Sequence, residues 1–258
     1  MRINISLGAT EDWLEYSSVT IASILKNSNP EDEYHFYLIC NNFSEDSKNL
    51  FFRLNKIRTA EYHFLLVNDA DFDGAIHDWL GVSSSYRLKL SSLTDIDKVL
   101  YLDSDIIVKK DISKLYSYNI EEYYTAMVED KCSKIMKTRI KLKPDETFFN
   151  AGVTLMNLKA FRENNLEEII FDKLRKSTFY TDQDVINDVC RGKILSLPIE
   201  WNCVEPMIAF CTPYPQRTIE LIDSQNDPSL IHYSKKPWEN LNENFAKEWI
   251  KYRDLITN

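Results

Sequence analysis

The chain has 258 residues, of which 44% are apolar and 28% are charged, and this composition is typical of a globular protein with a sizeable core. Its net charge of −9 excludes nucleic acid as the main partner, because a phosphate backbone needs clustered Lys and Arg. No apolar run approaches the ~18 residues that a membrane span requires.

The cysteine content indicates a reducing compartment. The cysteines are odd in number and form no C-x-x-C motif: Cys40, Cys132, Cys190, Cys203 and Cys211. Most lie in apolar or helical surroundings, which favours free thiols over a disulfide framework. Residues 1–6 predict a strand rather than a signal peptide. We therefore expect a soluble, cytoplasmic protein with at most peripheral membrane contact.

The first apolar stretch, residues 3–7, predicts a strand, and a helix is predicted from about residue 13 to residue 26. Small and polar residues connect the two: Gly8, Ala9, Thr10, Glu11 and Asp12. In an open parallel sheet, ligands bind beyond the carboxyl ends of the strands. This connection therefore occupies a position suited to a nucleotide, although an ordinary structural loop explains it equally well.

Two further strands are predicted at residues 34–40 and 62–67, with a helix between them that Ser44 caps and that reaches residue 57. The acidic residues 68–78 predict a surface loop. Residues 83–90 then open another helix. Its Arg87 either meets a diphosphate or a sugar, or is an ordinary surface residue.

The centre of the sequence, residues 98–108, places two acids between apolar runs. Side chains at i and i+2 of an extended strand share one face, and a small turn at Ser104 lets Asp103 and Asp105 converge. Hard divalent cations prefer such oxygen ligands. The two carboxylates are therefore candidate metal ligands, and a capping or turn role is the alternative.

The bare Asp-x-Asp triplet is not specific, because it recurs in this chain. The other copies are Asp69/Asp71, Asp71/Asp73, Asp95/Asp97 and Asp182/Asp184. Only the copy at Asp103 and Asp105 has apolar runs on both sides, which predicts a buried strand that ends where the acids emerge.

A short helix is predicted at residues 111–115 and a strand at residues 124–128. The basic residues 131–145 predict a solvated helix in preference to a mobile flap over an anionic ligand. Asn150, Ala151 and Gly152 then place two small residues before an apolar strand. Small residues let a ligand approach the backbone, and a tight turn into the strand is the alternative.

Helical patterns cover residues 159–176, interrupted by two Asn at 164–165, and continue in a further helix through residue 189. Thr181 is the predicted N-cap of the second helix, and Asp184 stands at the capping-box position. This role leaves Asp182 and Gln183 free for a ligand.

A candidate imidazole lies near the end of the chain, after a short strand at residues 194–197 and irregular chain at 206–217. His232 ends an apolar run and precedes a basic pair. The other histidines are His35 and His63 in strand patterns, expected in the core or on the surface, and His77 in the acidic loop. A final helix is predicted at about residues 242–256. Because no repeat or linker interrupts the sequence, a single domain over residues 1–258 is the simplest organisation.

Six blocks of sequence, taken in chain order, resemble glycosyltransferase family 8. They are residues 7–13, 87–90, 98–105, 149–153, 182–184 and 232–238, and together they span about nine-tenths of the chain. The family contains bacterial lipopolysaccharide galactosyl- and glucosyltransferases and the glycogenins. The resemblance implies an α/β protein with the GT-A fold, a Rossmann-like arrangement with a central, mostly parallel sheet and helices on both faces.

The resemblance also implies a retaining hexosyltransferase that takes glucose or galactose from a UDP-hexose donor with the help of Mn²⁺, or Mg²⁺ in its place. The implied metal ligands are Asp103, Asp105 and His232. The implied donor-binding residues are Gly8, Ala9, Thr10, Asp12, Arg87, Ser104, Asn150, Ala151, Gly152 and Lys236. The implied catalytic residues, beside the anomeric carbon of the donor sugar, are Asp182 and Gln183.

Two positions depart from the family pattern. Thr10 stands where the family commonly has an acid that contacts the uracil edge, so the choice of base is less secure. Only Ser234 and Lys235 separate the His232–Tyr233 pair from Lys236, a shorter gap than the family has, so the phosphate contacts there differ. These departures favour, as an alternative, a non-catalytic or hydrolytic sugar-nucleotide-binding protein of the same fold.

Two other enzyme classes fit the central acids less well. A phosphatase of the haloacid dehalogenase type has the order Asp-x-Asp-x-Thr, whereas the fifth position here is Ile107. A nucleotidylyltransferase has a glycine-rich basic signature near the first strand, which residues 8–12 lack. For the transferase, same-face attack on the sugar is favoured over double displacement, because the amide of Gln183 is a poor nucleophile.

The acceptor is expected to be a saccharide, a lipopolysaccharide or a glycoprotein. Acceptor contacts come from variable loops. In this chain the candidates are residues 131–145 and 206–217. The sequence therefore predicts the donor side of the reaction in more detail than the acceptor side.

Overall fold

The computed structural model describes residues 1–76, 81–130, 134–204, 222–224, 226–239, 241 and 246–257. The strands are β1 (Arg2–Gly8), β2 (Glu33–Cys40), β3 (Glu61–Leu66), β4 (Lys98–Leu102), β5 (Ile106–Val108), β6 (Thr125–Glu129), β7 (Phe149–Asn157), β8 (Ile194–Leu197), β9 (Cys203–Val204) and β10 (Leu230–His232). The helices are α1 (Leu14–Lys26), α2 (Glu45–Arg53), α3 (Leu90–Leu93), α4 (Ser113–Tyr116), α5 (Lys134–Arg139), α6 (Leu158–Glu163), α7 (Leu166–Lys176), α8 (Asp182–Val189) and α9 (Ala246–Thr257).

The main sheet has seven strands in the order β3-β2-β1-β4-β7-β6-β8. Every neighbouring pair is parallel except the two that β7 makes, with β4 and with β6. The predicted mostly parallel sheet is thus confirmed. Because β7 runs against the other strands, its first residues lie beside the carboxyl end of β4, where Leu102 pairs with Val153.

A second sheet of three strands, in the order β5-β10-β9, lies just beyond β4 in the chain. β10 pairs antiparallel with β5, and this register sets His232 opposite Ile106. The Tyr233 amide donates to the Asp105 carbonyl at 3.0 Å. Two segments more than a hundred residues apart in sequence therefore meet next to the central acids.

Apolar side chains alternate between the two faces of the main sheet, as the pleat requires. On β4, Leu100 and Leu102 pack with residues of β1, α1 and α2, whereas Val99 and Tyr101 pack with residues of α6, α7 and α8. Helices therefore cover both faces, as predicted. The final helix, α9, adds Trp249 and its neighbours to a third cluster around the small sheet.

Local capping signals are the most accurately predicted features of the fold. Ser44 caps α2, with its hydroxyl accepting from the Ser47 amide at 3.2 Å. Thr181 and Asp184 form the predicted capping box at the start of α8. Asn165 adopts a left-handed backbone with φ of 51° between α6 and α7, where the sequence predicted an interruption.

Two predictions about local structure are wrong. The described part of the predicted surface loop, residues 68–76, is not simply a loop: a 3₁₀ turn (Asp69–Phe72) buries Phe72 between the rings of Tyr86 and Phe171, at centroid distances of 5.5 and 5.6 Å. Asn150, Ala151 and Gly152 do not precede a strand or form a turn into it, because β7 begins at Phe149. Small and polar residues look like a turn in sequence, yet here Asn150 pairs with Val128 of β6 and the Gly152 carbonyl accepts from the Asp103 amide, so these residues belong to the strand.

The predicted helix at residues 83–90 is largely a 3₁₀ helix (Val82–Lys89) that continues into α3. Some of the sequence interpretations concern residues outside the described part of the chain. They are those of His77, of Lys131 and Cys132, of the irregular chain at 206–217 with its Cys211, and of Asn242 as a helix start. Within the described part, every helix is too short or too polar to cross a membrane.

Candidate active site

The candidate site begins where β4 ends, at the turn that carries the two central acids. The Asp103 amide donates to the Gly152 carbonyl at 2.9 Å, which fixes the turn to the start of β7. On the other side, the Ser104 hydroxyl lies 2.7 Å from the Ser17 hydroxyl, and the Ser104 carbonyl accepts from Thr20 Oγ1 at 3.0 Å. The turn is therefore held between β7 and α1, and Ser104 is bonded to the helix.

The structure brings Asp103, Asp105 and His232 together. One ligand atom from each lies within 4.8 Å of the others. The Nε2 atom of His232 is 3.3 Å from Asp105 Oδ1 and 3.9 Å from Asp103 Oδ2. Pairing of β10 with β5 delivers the imidazole, so the sequence motif and the distant histidine form one cluster.

Asn202 holds the imidazole in place, a role that the sequence analysis missed. Its side-chain oxygen lies 2.8 Å from His232 Nδ1, and its amide nitrogen donates to Asn150 Oδ1 at 2.8 Å. Because an amide oxygen only accepts, Nδ1 carries the proton of the neutral ring, and Nε2 turns its lone pair toward the acids. Asn202 is 2% exposed, and a lone buried Asn after a Trp gives no sequence signal of this role.

The cluster fits a divalent cation. Among the described residues, the buried Asp105 Oδ1 has no hydrogen-bond donor while His232 is neutral with its proton on Nδ1. An unsatisfied buried carboxylate oxygen is costly. Two carboxylates and an imidazole form a ligand set that Mn²⁺ accepts. A Cβ atom at Gly152 would overlap Cε1 of His232 and lie 2.8 Å from Asp103 Oδ2, so the space beside the cluster requires glycine.

Arg87 is not a surface residue, because it is 3% exposed. It donates from Nη2 to Asp103 Oδ1 at 2.9 Å, and its Nε lies 3.1 Å from Asp182 Oδ2. Its Nη1 donates to the Ala151 carbonyl, and its guanidinium lies 4.2 Å from the centroid of the Tyr101 ring. Burial alone would lower the pKa of Arg87, but the two carboxylates outweigh it and raise the pKa.

Asp182 and Gln183 are not free, contrary to the expectation from the capping box. The Gln183 oxygen accepts from the Ala151 amide at 2.9 Å, and its amide nitrogen donates to Asp130 Oδ2 at 3.3 Å. Asp182 is 8% exposed and is paired with Arg87. Burial raises the pKa of Asp182, and Arg87 opposes this only in part. Both side chains therefore lie beside the start of β7 in fixed positions.

Lys236 lies on the opposite side of the cluster from Arg87. Its Nζ donates to Asp105 Oδ2 at 2.7 Å and lies 5.1 Å from the centroid of the Trp13 ring. Burial would raise the pKa of Asp105, but His232 and Lys236 outweigh it and lower the pKa. For His232, burial lowers the pKa of the imidazole, and the adjacent Asp105 carboxylate more than compensates, so the pKa is raised above 6.5.

A cavity of about 140 Å³ opens beside the acids. Its lining includes Gly8, Ala9, Ser83, Tyr101, Asp103 and Lys236. Thr10 precedes a 3₁₀ turn (Glu11–Trp13) in which Asp12 is exposed. Glu11 bonds away from the acids, accepting from the Ser44 amide at 2.8 Å. Of the residues in the predicted connection after β1, Gly8 and Ala9 therefore line the cavity. Thr10 and Asp12 follow them in the chain and are not part of its lining.

Solved structures define the class of this fold. The galactosyltransferase LgtC, in complex with donor and acceptor sugar analogs, superimposes with a TM-score of 0.83 at 23% identity, covering 100% of this chain and 97% of LgtC. The bifunctional glycosyltransferase WbbM superimposes with a TM-score of 0.82 at 20% identity, covering 98% of this chain and 49% of WbbM. The fold is thus the GT-A fold of glycosyltransferases, as predicted.

Sequence comparison gives the family. Residues 4–242 match the family described as Glycosyl transferase family 8, and the chain belongs to that family. A lipopolysaccharide 1,2-glucosyltransferase of Escherichia coli is 27% identical over 264 residues, which cover 96% of this chain and 74% of that protein. A Haemophilus influenzae relative, also 27% identical, is matched over 74% of this chain and 60% of its own length.

Proposed function

We propose that this family 8 glycosyltransferase is a retaining, metal-dependent hexosyltransferase that moves glucose or galactose from a UDP-sugar to a saccharide, lipopolysaccharide or glycoprotein acceptor. The observation that carries the proposal is the cluster of Asp103, Asp105 and His232 beside a cavity at the carboxyl end of β4. Support for the hexose comes from the relatives, which include a glucosyltransferase and a galactosyltransferase by name.

Mn²⁺, or Mg²⁺ in its place, would be held by Asp103, Asp105 and His232. Such an ion supplies Lewis-acid stabilisation of the diphosphate oxygens and offsets their charge. Asn202 keeps Nε2 of His232 available as a ligand through its bond to Nδ1. Gly152 leaves the space beside the cluster open.

Donor binding would use the cavity and the start of β7. Gly8 and Ala9 would contact the nucleoside, with Thr10 and Asp12 close by in the connection, and Ser104 would support the floor. Thr10 replaces an acid, so its hydroxyl would contact the base without a charge.

The donor sugar would lie against the start of β7. Asn150 is held in position there, because its oxygen accepts from the Gly152 amide at 3.0 Å and from Asn202. Ala151 and Gly152 allow a close approach to backbone, since neither carries a bulky side chain. The strand therefore offers the sugar a rigid wall with little side-chain bulk.

Cleavage of the glycosyl–phosphate bond builds negative charge on the leaving diphosphate, so positive charge must be placed where it develops. Lys236 fits this role, because its side chain is 35% exposed and it lines the cavity. Arg87 is saturated by two carboxylates and two carbonyls. We therefore assign Arg87 to positioning Asp103 and Asp182 rather than to contact with the diphosphate.

Retention would arise by same-face attack of the acceptor. A double displacement needs a nucleophile at Asp182 or Gln183, but Asp182 is neutralised by Arg87, and both polar atoms of Gln183 are bonded to protein groups. These fixed side chains are better placed to steady the positively charged sugar of the transition state.

The proposal is tested with purified protein, UDP-glucose and UDP-galactose, with and without Mn²⁺, by following UDP release. The wild type is expected to turn over one donor only when the ion is present. Asp105→Asn should lower kcat by about 10²–10³, as loss of a transition-state electrostatic group does.

The matched control is Asp97→Asn, which removes the second acid of another Asp-x-Asp triplet and lies 71% exposed beside Arg162. It should retain wild-type turnover. Donor binding without turnover would favour the non-catalytic alternative, and release of free hexose in the presence of saccharide acceptors would favour the hydrolytic one. Equal activity of Asp105→Asn and wild type would contradict the proposed metal site.

A further inference from the structure

A second group of metal-ligating side chains lies at the edge of the main sheet. His35 is in β2, and its register partner in the edge strand β3 is Glu61. His63 lies two residues after Glu61 and therefore on the same face of the sheet. The register partners His35 and Glu61 are near the amino ends of their strands, whereas the candidate active site lies at the carboxyl end of β4. The two sites are thus separate.

The three potential ligand atoms are spaced as a tetrahedral ion requires. His35 Nδ1 lies 3.1 Å from Glu61 Oε2 and 3.4 Å from His63 Nε2, and His63 Nε2 lies 3.8 Å from Glu61 Oε2. Ligands at about 2.0–2.1 Å from zinc in tetrahedral geometry are about 3.3–3.4 Å apart. The three atoms are therefore at a suitable separation for one ion, and rotation of the two rings would aim their lone pairs at it.

The two imidazoles meet edge to edge, and one of them is packed against a tyrosine ring. Their planes differ by 11°, and their centroids are 5.7 Å apart, so the facing nitrogens lie near the line that joins the centroids. Tyr37 stacks on His63 at 4.4 Å. Its hydroxyl accepts from Arg2 at 3.0 Å, so this guanidinium is bonded to Tyr37. Because the two nitrogens point at each other, each ring must turn by about 35° before both lone pairs converge on one tetrahedral ion.

One of the three proposed ligands is buried and the other two are accessible to solvent, which suits ion binding. The His35 side chain is 8% exposed, whereas those of His63 and Glu61 are 35% and 67% exposed. The charged neighbours of His35 are Arg2, Glu33 and Glu61, so two carboxylates offset one guanidinium. An ion can enter from solvent and still be held on its inner side by a buried imidazole.

We propose that His35, Glu61 and His63 form a binding site for a borderline divalent cation of the zinc class, with water in the fourth position. Two histidines and one carboxylate are a ligand set that zinc takes with an open coordination position. The ion would link the edge strand β3 to β2. No step of glycosyl transfer would depend on it.

The test uses metal-stripped protein and Zn²⁺, with calorimetric titration and elemental analysis. To remove the candidate active-site ligands, the background is the Asp105→Asn/His232→Gln variant. We expect about one equivalent of Zn²⁺ to bind this background and two to bind the wild type. Co²⁺ in place of Zn²⁺ should give the visible absorption bands of a tetrahedral ion.

Adding His63→Gln or Glu61→Gln to this background should weaken Zn²⁺ binding at least roughly tenfold, since even the loss of a group that supports a ligand costs about 10–100-fold. Glu33→Gln is the matched control, because it removes a nearby carboxylate that is not a ligand, and it should leave the affinity unchanged. In the wild-type background, His63→Gln should keep Mn²⁺-dependent donor turnover.

Two results would overturn the proposal. One is the absence of Zn²⁺ binding in the Asp105→Asn/His232→Gln background, with circular dichroism confirming that the protein is folded. The pair would then be joined by an imidazole–imidazole hydrogen bond alone. The other is an equal loss of Zn²⁺ affinity in Glu61→Gln and Glu33→Gln. This result would mean that each carboxylate attracts the ion only through its charge and that Glu61 is not a ligand.

Discussion

Asp103 and Asp105 lie two residues apart, but their side chains have different partners. We call the part of the candidate active site around Arg87 the arginine side and the part around His232 the histidine side. On the arginine side, Asp103 and Asp182 share the buried Arg87. On the histidine side, Asp105 meets Lys236 through one oxygen, while its other oxygen faces Nε2 of His232 at 3.3 Å without a hydrogen-bond donor among the described residues.

This difference indicates that the arginine side is mainly structural and that the histidine side is suited to hold a cation. The arginine side is complete without any ligand, because each charged group has a partner of opposite sign. The histidine side leaves a buried oxygen and a ring nitrogen facing one another, and a cation between them would satisfy both. Two acids of one motif therefore have different expected roles: Asp103 stabilises the folded protein as well as the site, whereas Asp105 serves mainly the site.

The largest expected effect comes from removing the shared cation of the arginine side. Arg87→Leu removes the counter-charge of the buried Asp182 and of the partly exposed Asp103, and breaking a buried ion pair by removing one partner costs about 3–5 kcal/mol. The free energy of unfolding, measured by urea denaturation, should fall by that amount. Arg191→Leu, which removes a partly exposed guanidinium paired with Asp188, should cost no more than about 1 kcal/mol. Similar losses in the two variants would contradict the scaffold role.

The second prediction compares the two acids directly in the absence of metal. Asp103→Asn weakens the charge pairing of the buried Arg87 and should lower the free energy of unfolding by about 1–3 kcal/mol. Asp105→Asn also removes a stabilising contact, with Lys236, but this lysine is 35% exposed and the other Asp105 oxygen lacks a donor in the described structure, so the substitution should cost less than Asp103→Asn. Urea denaturation in the presence of a chelator measures both. A larger loss for Asp105→Asn would reverse the assignment of the two sides.

The third prediction concerns the support of His232 by Asn202. Asn202→Ala removes the acceptor for Nδ1, which frees the ring to change tautomer and orientation. Such losses behind a metal ligand cost about 10–100-fold in metal affinity. The Mn²⁺ concentration for half-maximal donor turnover should rise accordingly, with kcat at saturating Mn²⁺ changing less. Asn202→Asp keeps an acceptor oxygen and should restore most of the affinity.

The smallest effect is a pH dependence of metal binding on the histidine side. The pKa of His232 is raised in the folded, metal-free protein, so its proton stabilises that state below pH 6.5 and this contribution is lost as pH rises through the raised pKa. Metal must displace this proton. The affinity for Mn²⁺, measured by titration, should therefore increase with pH across that window. An affinity that does not change with pH would mean that His232 is not a ligand.

Much of the fold follows from local sequence, and the reason is physical. Apolar runs predict the strands of the main sheet, and side chains such as Ser44 and Thr181 predict helix starts, because each signal acts over a few residues. The prediction of His232 as a partner of the central acids came from the family resemblance and agrees with where the structure places the residue. Its own environment, an apolar run before a basic pair, indicated only a special position.

The features that sequence reasoning missed depend on contacts between distant segments. Asn202 meets His232 only because β9 and β10 pair in the small sheet. Gln183 is engaged because its helix begins beside the first residues of β7, where the Ala151 amide needs an acceptor. Phe72 is buried although its neighbours are acidic, because its ring fills space between two other aromatic residues. None of these pairings leaves a periodic pattern in the chain.

The reversed direction of β7 pairs residues 153–157 with β4 and residues 154–156 with β6 as well, so the strand is bonded on both sides directly after Asn150 and Gly152, which lie where the register with β6 shifts. A strand held in this way cannot slide by one position without turning every side chain to the opposite face. Insertion or deletion of one residue near its start would bring a larger side chain against His232 in place of hydrogen. The register of β7 therefore sets the distance between Gly152 and His232 in the candidate active site, and we expect length changes in the family to lie outside this strand.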